Sequence, residues 1–308
     1  AIGAAAACAR LLKLDAEQCS NAVSLSTSMA AGFMSQFGTM TKPIHAGLAA
    51  KSGVVAASMA RQGITAGRDT LDGLTGMNRL MVGPDYETLR DAITSPEHGQ
   101  TLRFETEHVS APLLILEHGL KVKRFPNCGS AHRAMDALLF LKDAHGFTAD
   151  DVAKVVVHLP KSHLNNLMHH DPVDPMQAKF SMQYALAVIL RSGNCTLNDF
   201  LPRAVMRPEV RSLFSLIKPN PVDKSEGEFP TSVEVHLKDG SIVEKSLVMP
   251  LGSKAAPFTD EQYWLKFSGC VEDHIGADAT AQLRGTLEGL VKLPAVTTLM
   301  ERLRRAIT

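Results

Sequence analysis

The character of the chain changes near residue 119, and this break limits the folds open to it. Before it, Ala, Gly, Ser and Met dominate, β-branched clusters are sparse, and Gly or Pro recurs at short intervals. That texture predicts helices over 4–14, 15–32, 43–62, 70–80, 84–94 and 110–118. Small residues along 43–62 (Ala46, Gly47, Ala49, Ala50, Gly53) predict close approach of helix axes. After the break, the run Val155, Val156, Val157 predicts a buried strand over 152–160. Residues 231–238 and 241–248 alternate apolar and polar around Asp239-Gly240, a strong hairpin signal. Helices are expected over 131–145 and 175–191, closed by Gly146 and Gly193. Beyond Pro257, helical pattern resumes at 259–269 and 276–307. The expected architecture is mostly α with a smaller α+β domain. The expected division is a helical domain at 1–118, an α+β domain at 119–258, and a helical return at 259–308 that packs on the first domain.

Charge and composition exclude several function classes. Lys plus Arg (32) balance Asp plus Glu (32), so no basic face is available for nucleic acid. One Trp and three Tyr offer few stacking platforms. The five cysteines are scattered without CxxC spacing, so neither a zinc site nor a disulfide framework is expected, and a reducing cytoplasm is the expected compartment. No apolar run is long enough for a membrane span. The apolar start, Ala1–Ala9, has no basic leader, and a signal peptide is not expected. It also has no initiator Met and begins inside a predicted helix, so the expectation is an N-terminally shortened chain. Neither GxGxxG, GxxxxGK[ST] nor GxSxG occurs.

Two blocks carry the clearest chemistry. In Gly38-Thr-Met-Thr41-Lys42-Pro43-Ile-His45-Ala-Gly47, Pro43 suits a first helical position, which puts Lys42 at the cap and His45 in the first turn. Free amides and the positive dipole end there favour an anion. The competing reading is a solvated Lys42 and a core His45. In Lys121-Val-Lys123-Arg-Phe-Pro-Asn-Cys128-Gly-Ser130-Ala-His132, Ser130 is expected to cap the next helix, with His132 in its first turn. Lys123, Cys128 and His132 are expected to converge on one anion. Cys128 reads either as a reactive thiolate or, more simply, as a small buried hydrophobe. Four histidines between His158 and His170 lack metal-ligand spacing and suit a loop leaving the strand; His163, just past the strand end, is the best single candidate among them. Phe180, Tyr184 and Ala187 share one helix face and read as core, although the Ser181 and Tyr184 hydroxyls remain open to a cleft role.

In this order the blocks resemble the MmgE/PrpD family. The resemblance rests on residues 38–47, on Lys123-Arg-Phe-Pro-Asn-Cys128-Gly-Ser-Ala-His132, on Ala178-Lys-Phe-Ser181 through Tyr184-Ala185, and on Gly252 to Thr259 with Lys266-Phe267. The family includes 2-methylcitrate dehydratase, cis-aconitate decarboxylase and iminodisuccinate epimerase. The resemblance implies a helical domain with an α+β lid, a homodimer, no metal and no organic cofactor. It implies a small di- or tricarboxylate substrate and proton loss next to a carboxylate, of dehydratase or lyase type. An epimerase is the alternative, and a non-catalytic helical scaffold the alternative of another class. It further implies that Lys42, Lys123 and His132 are catalytic and that Thr41, His45, Cys128 and His163 bind substrate. Cys128 stands where the decarboxylases carry a histidine, which disfavours decarboxylation. His163 stands in the loop where they carry a tyrosine. The family's helical domain begins upstream of Ala1, where further active-site aspartate and histidine residues lie.

Overall fold

A computed structural model describes residues 1–88, 113–223 and 229–307. The predicted helix 84–94 beyond residue 88, and 110–118 before residue 113, lie outside the described residues. Internal packing divides the chain into two units, Ala1–Leu114 and Ile115–Thr308.

In the first unit, α1 (Ile2–Leu11), α2 (Ala16–Thr27) and α3 (Thr41–Arg61) pack on one another, and α4 (Met77–Val82) follows. Asp15 caps α2 by accepting from the Gln18 amide at 2.8 Å, while Gln18 returns the bond to the Asp15 amide. The core is made of alanines: Ala9, Ala22, Ala57 and Ala60. Gly53 is where α3 meets α1, since a Cβ there would lie 2.4 Å from the Ala4 Cβ. Close approach therefore holds at Gly53, whereas Ala46, Gly47 and Ala50 are exposed. The helix expected at 70–80 is shortened to α4. Residues 70–76 turn instead, with the Met77 amide reaching Thr70 O at 2.7 Å across Gly73 and Gly76.

The second unit opens with α5 (Leu114–His118) and is built on a four-stranded sheet: β1 (Val152–Pro160), β2 (Ile217–Val222), β3 (Thr231–Leu237) and β4 (Ile242–Leu247), in the order β2-β1-β3-β4. One face is covered by α6 (His132–His145) and α9 (Met182–Ser192). Val155, Val157 and Leu159 alternate into this layer, the period-2 burial of a strand with one covered face. Gly146 and Gly193 end the two helices in the left-handed conformation, at φ 69° and 65°, as expected. The Asp239-Gly240 turn joins β3 and β4 antiparallel, with Gly240 at φ +90°.

Sequence reading missed β2. Pro219 and Pro221 argue against a strand, yet β2 is an edge paired parallel to β1 only, where missing amides cost nothing. The helix expected over 175–191 is two: α8 (Pro175–Ala178) and α9. Ser181 sits between them in extended conformation and caps α9 through the Tyr184 amide at 3.1 Å. The break frees Lys179 O for the Cys128 amide and Phe180 O for the His169 amide. After β1 comes a short helix, α7 (Lys161–Asn166), rather than a loop. Two short helices, α10 (Pro202–Val205) and α11 (Pro208–Arg211), precede β2. The C-terminal helices are α12 (Asp260–Ile275), α13 (Ala277–Glu288) and α14 (Val296–Ile307), and they group with the second unit. The expected single run 276–307 is interrupted at Gly289–Ala295. Among the described residues, no helix is long and apolar enough to cross a membrane.

Candidate functional site

The first turns of α6 bury three polar residues among apolar ones: His132, Arg133 and Asp136, at 2%, 8% and 8% exposure. Buried polar groups are costly unless bonded, so their partners define the local architecture. The Asp136 carboxylate accepts from the Arg124 guanidinium at 2.9 Å and from the Leu251 amide at 3.0 Å. Burial raises its pKa, while the Leu251 amide and Arg124 lower it. The Arg133 guanidinium donates to Phe229 O at 2.5 Å, to Val248 O at 3.0 Å, and to His163 Nδ1 at 2.9 Å. One end of α6 thus ties together the 121–124 segment, α7 and the chain on either side of the β3–β4 hairpin.

These segments wall a cleft of 520 Å³ lined by Lys121, Lys123, Ser130, His132, Arg133, Ser162 and His163, among others. No aspartate or glutamate is among the described residues lining it. Lys121 and Lys123, two residues apart on the chain, both line it. The pairing of Val122 with Gly252 holds that chain in place, through the Val122 amide and Gly252 O at 2.8 Å. Gly252 has φ +90°, and a Cβ there would fall 2.0 Å from Val122 O, so glycine is required.

His132 is the most perturbed histidine. Its ring stands edge-on to Phe125, centroids 5.3 Å apart. Burial, then the charge of Lys123, lowers its pKa to about 4, against a hydrogen bond to the Asn127 backbone; Lys266 and Arg124 lower it further. Its Nε2 is buried with no hydrogen-bond partner among the described residues. Asn127 O accepts from Lys123 Nζ at 3.1 Å, which fixes that ammonium beside the His132 ring.

The structure brings Lys123, His132 and His163 into one cleft. Cys128 is not among its lining residues; half-buried, it packs on the apolar core. Ser130 does not cap α6, since its Oγ accepts from Asn166 Nδ2 at 3.2 Å. In the first unit, α3 starts at Thr41, so Lys42 and Pro43 lie inside the first turn rather than at cap and first position. Thr39, not Lys42, serves the helix end, its Oγ1 accepting from the Thr41 amide at 3.2 Å. Lys42 Nζ lies 5.1 Å from the Phe37 ring centroid, and His45 packs against Gly32. His158 lies in β1 and pairs with Glu234 at 2.8 Å on the uncovered sheet face, not in a loop. Tyr184 is fully buried, its hydroxyl donating to Asp199 O. Among the described residues, no group of three or more His, Cys, Asp or Glu could hold a metal ion.

Arg133 and Asp136 were not singled out from sequence. A signal exists: charged residues interrupting Ala131–Leu141, where Ala134, Met135, Ala137, Leu138 and Leu139 leave them no polar face.

Residues 1–89 match the MmgE/PrpD N-terminal domain and residues 125–288 the MmgE/PrpD C-terminal domain. The chain is 26% identical to a cis-aconitate decarboxylase of Homo sapiens, over 95% of this chain and 57% of that protein. It is 24% identical to a cis-aconitate decarboxylase of Aspergillus terreus, over 97% and 62%. It is 26% identical to the cis-aconitate decarboxylase-like protein oryM of Aspergillus oryzae, over 88% and 57%. The chain thus spans less than two thirds of the length of these curated relatives.

Proposed function

The chain belongs to the MmgE/PrpD family, and on that premise we propose that it serves an enzyme acting on a small di- or tricarboxylate by proton abstraction next to a carboxylate. The observation that carries this reading is the cleft itself, in which Lys121, Lys123 and Arg133 stand beside His132, an imidazole held neutral by burial and by the Lys123 charge. A neutral imidazole with a free lone pair is the form a general base needs, and fixed cations favour the negative charge that develops as the proton leaves. Lys123 opposes protonation of His132. A polycarboxylate held by that lysine would offset its charge and raise the basicity of the imidazole.

In this reading Lys121 and Lys123 hold substrate carboxylates, and His132 takes the proton. Dehydration or another lyase step is the first reading; epimerisation, with the proton returned on the other face, is the second. Cis-aconitate, named by the relatives, is the first tricarboxylate to test. The assignments of Lys42 as a catalytic cation and of Thr41, His45 and Cys128 as substrate contacts rest on the family resemblance. So do the homodimer and the absence of a cofactor, while the cytoplasmic location rests on the scattered cysteines and the division into helical domain, α+β domain and helical return on the change of sequence texture.

The test is a titration of cis-aconitate and 2-methylcitrate into the protein, followed by proton NMR of each in D2O. Saturable binding, weakened at least about 10-fold by Lys123→Ala, supports the cleft, as loss of a charge-assisted bond requires. An alkene product identifies a dehydratase, solvent deuterium without net turnover an epimerase, and loss of CO2 a decarboxylase. Absence of tricarboxylate binding, or binding indifferent to both Lys121→Ala and Lys123→Ala, refutes the reading.

A further inference from the structure

We propose that Arg133 is a positioning residue that holds His163 in the Nε2–H tautomer, so that His163 faces the cleft as a hydrogen-bond donor and not as a base. This rests on the cleft being the substrate site, as read above, and adds an answer to which of its two histidines takes the proton.

The argument follows from donor and acceptor chemistry. Arg133 lies 2.9 Å from His163 Nδ1, and a guanidinium has five N–H donors and no acceptor. The nitrogen facing it must therefore offer its lone pair, which leaves the proton of a neutral ring on Nε2. Arg133 cannot turn away from this task easily. Its other nitrogen is held by Phe229 O and Val248 O, on two further chain segments, and the side chain is buried. Protonating His163 would put an N–H against the guanidinium. Burial, then the Arg133 charge, accordingly lowers the His163 pKa. Lys121, Lys123 and His132 line the same cleft, and no carboxylate among the described lining residues opposes them.

His132 is held differently. There no guanidinium meets the ring among the described hydrogen bonds, and Nε2 is buried without a partner. Two neutral imidazoles thus line one cleft, and the guanidinium on His163 Nδ1 leaves that ring able to donate a hydrogen bond to a carboxylate gaining charge. A neutral imidazole used in this electrophilic way needs its tautomer fixed by a neighbour.

The experiment is nitrogen NMR of protein labelled with 15N-histidine, at pH 7.5 and without substrate. His163 is assigned by comparison with His163→Gln. The expected spectrum shows His163 Nδ1 unprotonated and Nε2 protonated, and Arg133→Met converts it to a tautomer mixture that protonates at higher pH. A protonated Nδ1 or averaged nitrogens in the wild type, or an Arg133→Met spectrum like wild type, overturns the proposal. If Arg133→Met does not fold, Arg133→Gln, whose side-chain oxygen can accept where a guanidinium cannot, takes its place, and the wild-type spectrum still decides. Kinetics add a second reading. Gln can donate but cannot act as a base, so His163→Gln should keep turnover within about 10-fold while His163→Leu loses about 100-fold, the range for one donor to developing charge. Equal loss in both variants, with the tautomer as predicted, contradicts the donor role. Lack of tricarboxylate binding with the tautomer intact refutes the function of the cleft and upholds the role of Arg133.

Discussion

Acid should destabilise the second unit through His132 in a way that can be isolated and measured. The folded-state pKa of about 4 lies below the ordinary 6.5. The unfolded chain therefore binds more protons than the folded one between these values, and stability falls as pH drops through that window. At pH 7.5 nothing is lost. Each unit of pKa difference is worth about 1.4 kcal/mol, so the loss is about 1.4 kcal/mol at pH 5.5 and about 2.6 kcal/mol at pH 4.5. His163, whose pKa is also lowered, adds a loss of the same sign, and Asp136, whose pKa is raised, a gain of opposite sign. Comparing wild type with His132→Asn cancels both. The Asn side chain is polar and of similar reach but does not titrate in this range. Urea unfolding followed by the fluorescence of Trp264, the single tryptophan and part of α12, reads the second unit. The variant should be less stable at pH 7.5, having lost the Phe125 contact, but the gap should close by about 1.4 kcal/mol at pH 5.5 and by about 2.6 at pH 4.5. A gap that stays constant from pH 7.5 to 4.5 would show that His132 is not held neutral by burial, and the argument for it as a neutral base would fall with it.

Gly252→Ala should destabilise the second unit by about 3 kcal/mol or more, because a left-handed backbone and a clash with Val122 O act together; urea unfolding measures it, and a change under 1 kcal/mol would contradict the packing described. Lys42→Ala should reduce turnover by about 100-fold or more in a catalytically competent protein, and Lys42→Arg should restore it only in part. Its effect on stability should stay within about 1 kcal/mol, the scale of the Phe37 cation–π contact and the helix-end charge; unchanged turnover or outright unfolding would remove Lys42 from the proposed machinery.

Local chemistry was written in the sequence. The hairpin at Asp239-Gly240, the left-handed stops at Gly146 and Gly193, the period-2 burial of β1 and the placement of His132 in a first helical turn all depend on residues within a few positions of one another. So does the family resemblance, and with it Lys123, His132 and His163 as candidates. What escaped depends on distant partners. β2 has poor strand residues and exists because β1 offers it an open edge. The helix predicted over 175–191 breaks at the extended Ser181, and the carbonyls of Lys179 and Phe180 that the break frees meet the amides of Cys128 and His169. The sequence shows that Arg133 and Asp136 are charged but not that Phe229, Val248, His163 and Leu251 receive them. A histidine's tautomer is decided by the neighbour that meets its other nitrogen, and only the tertiary fold brings Arg133 to His163.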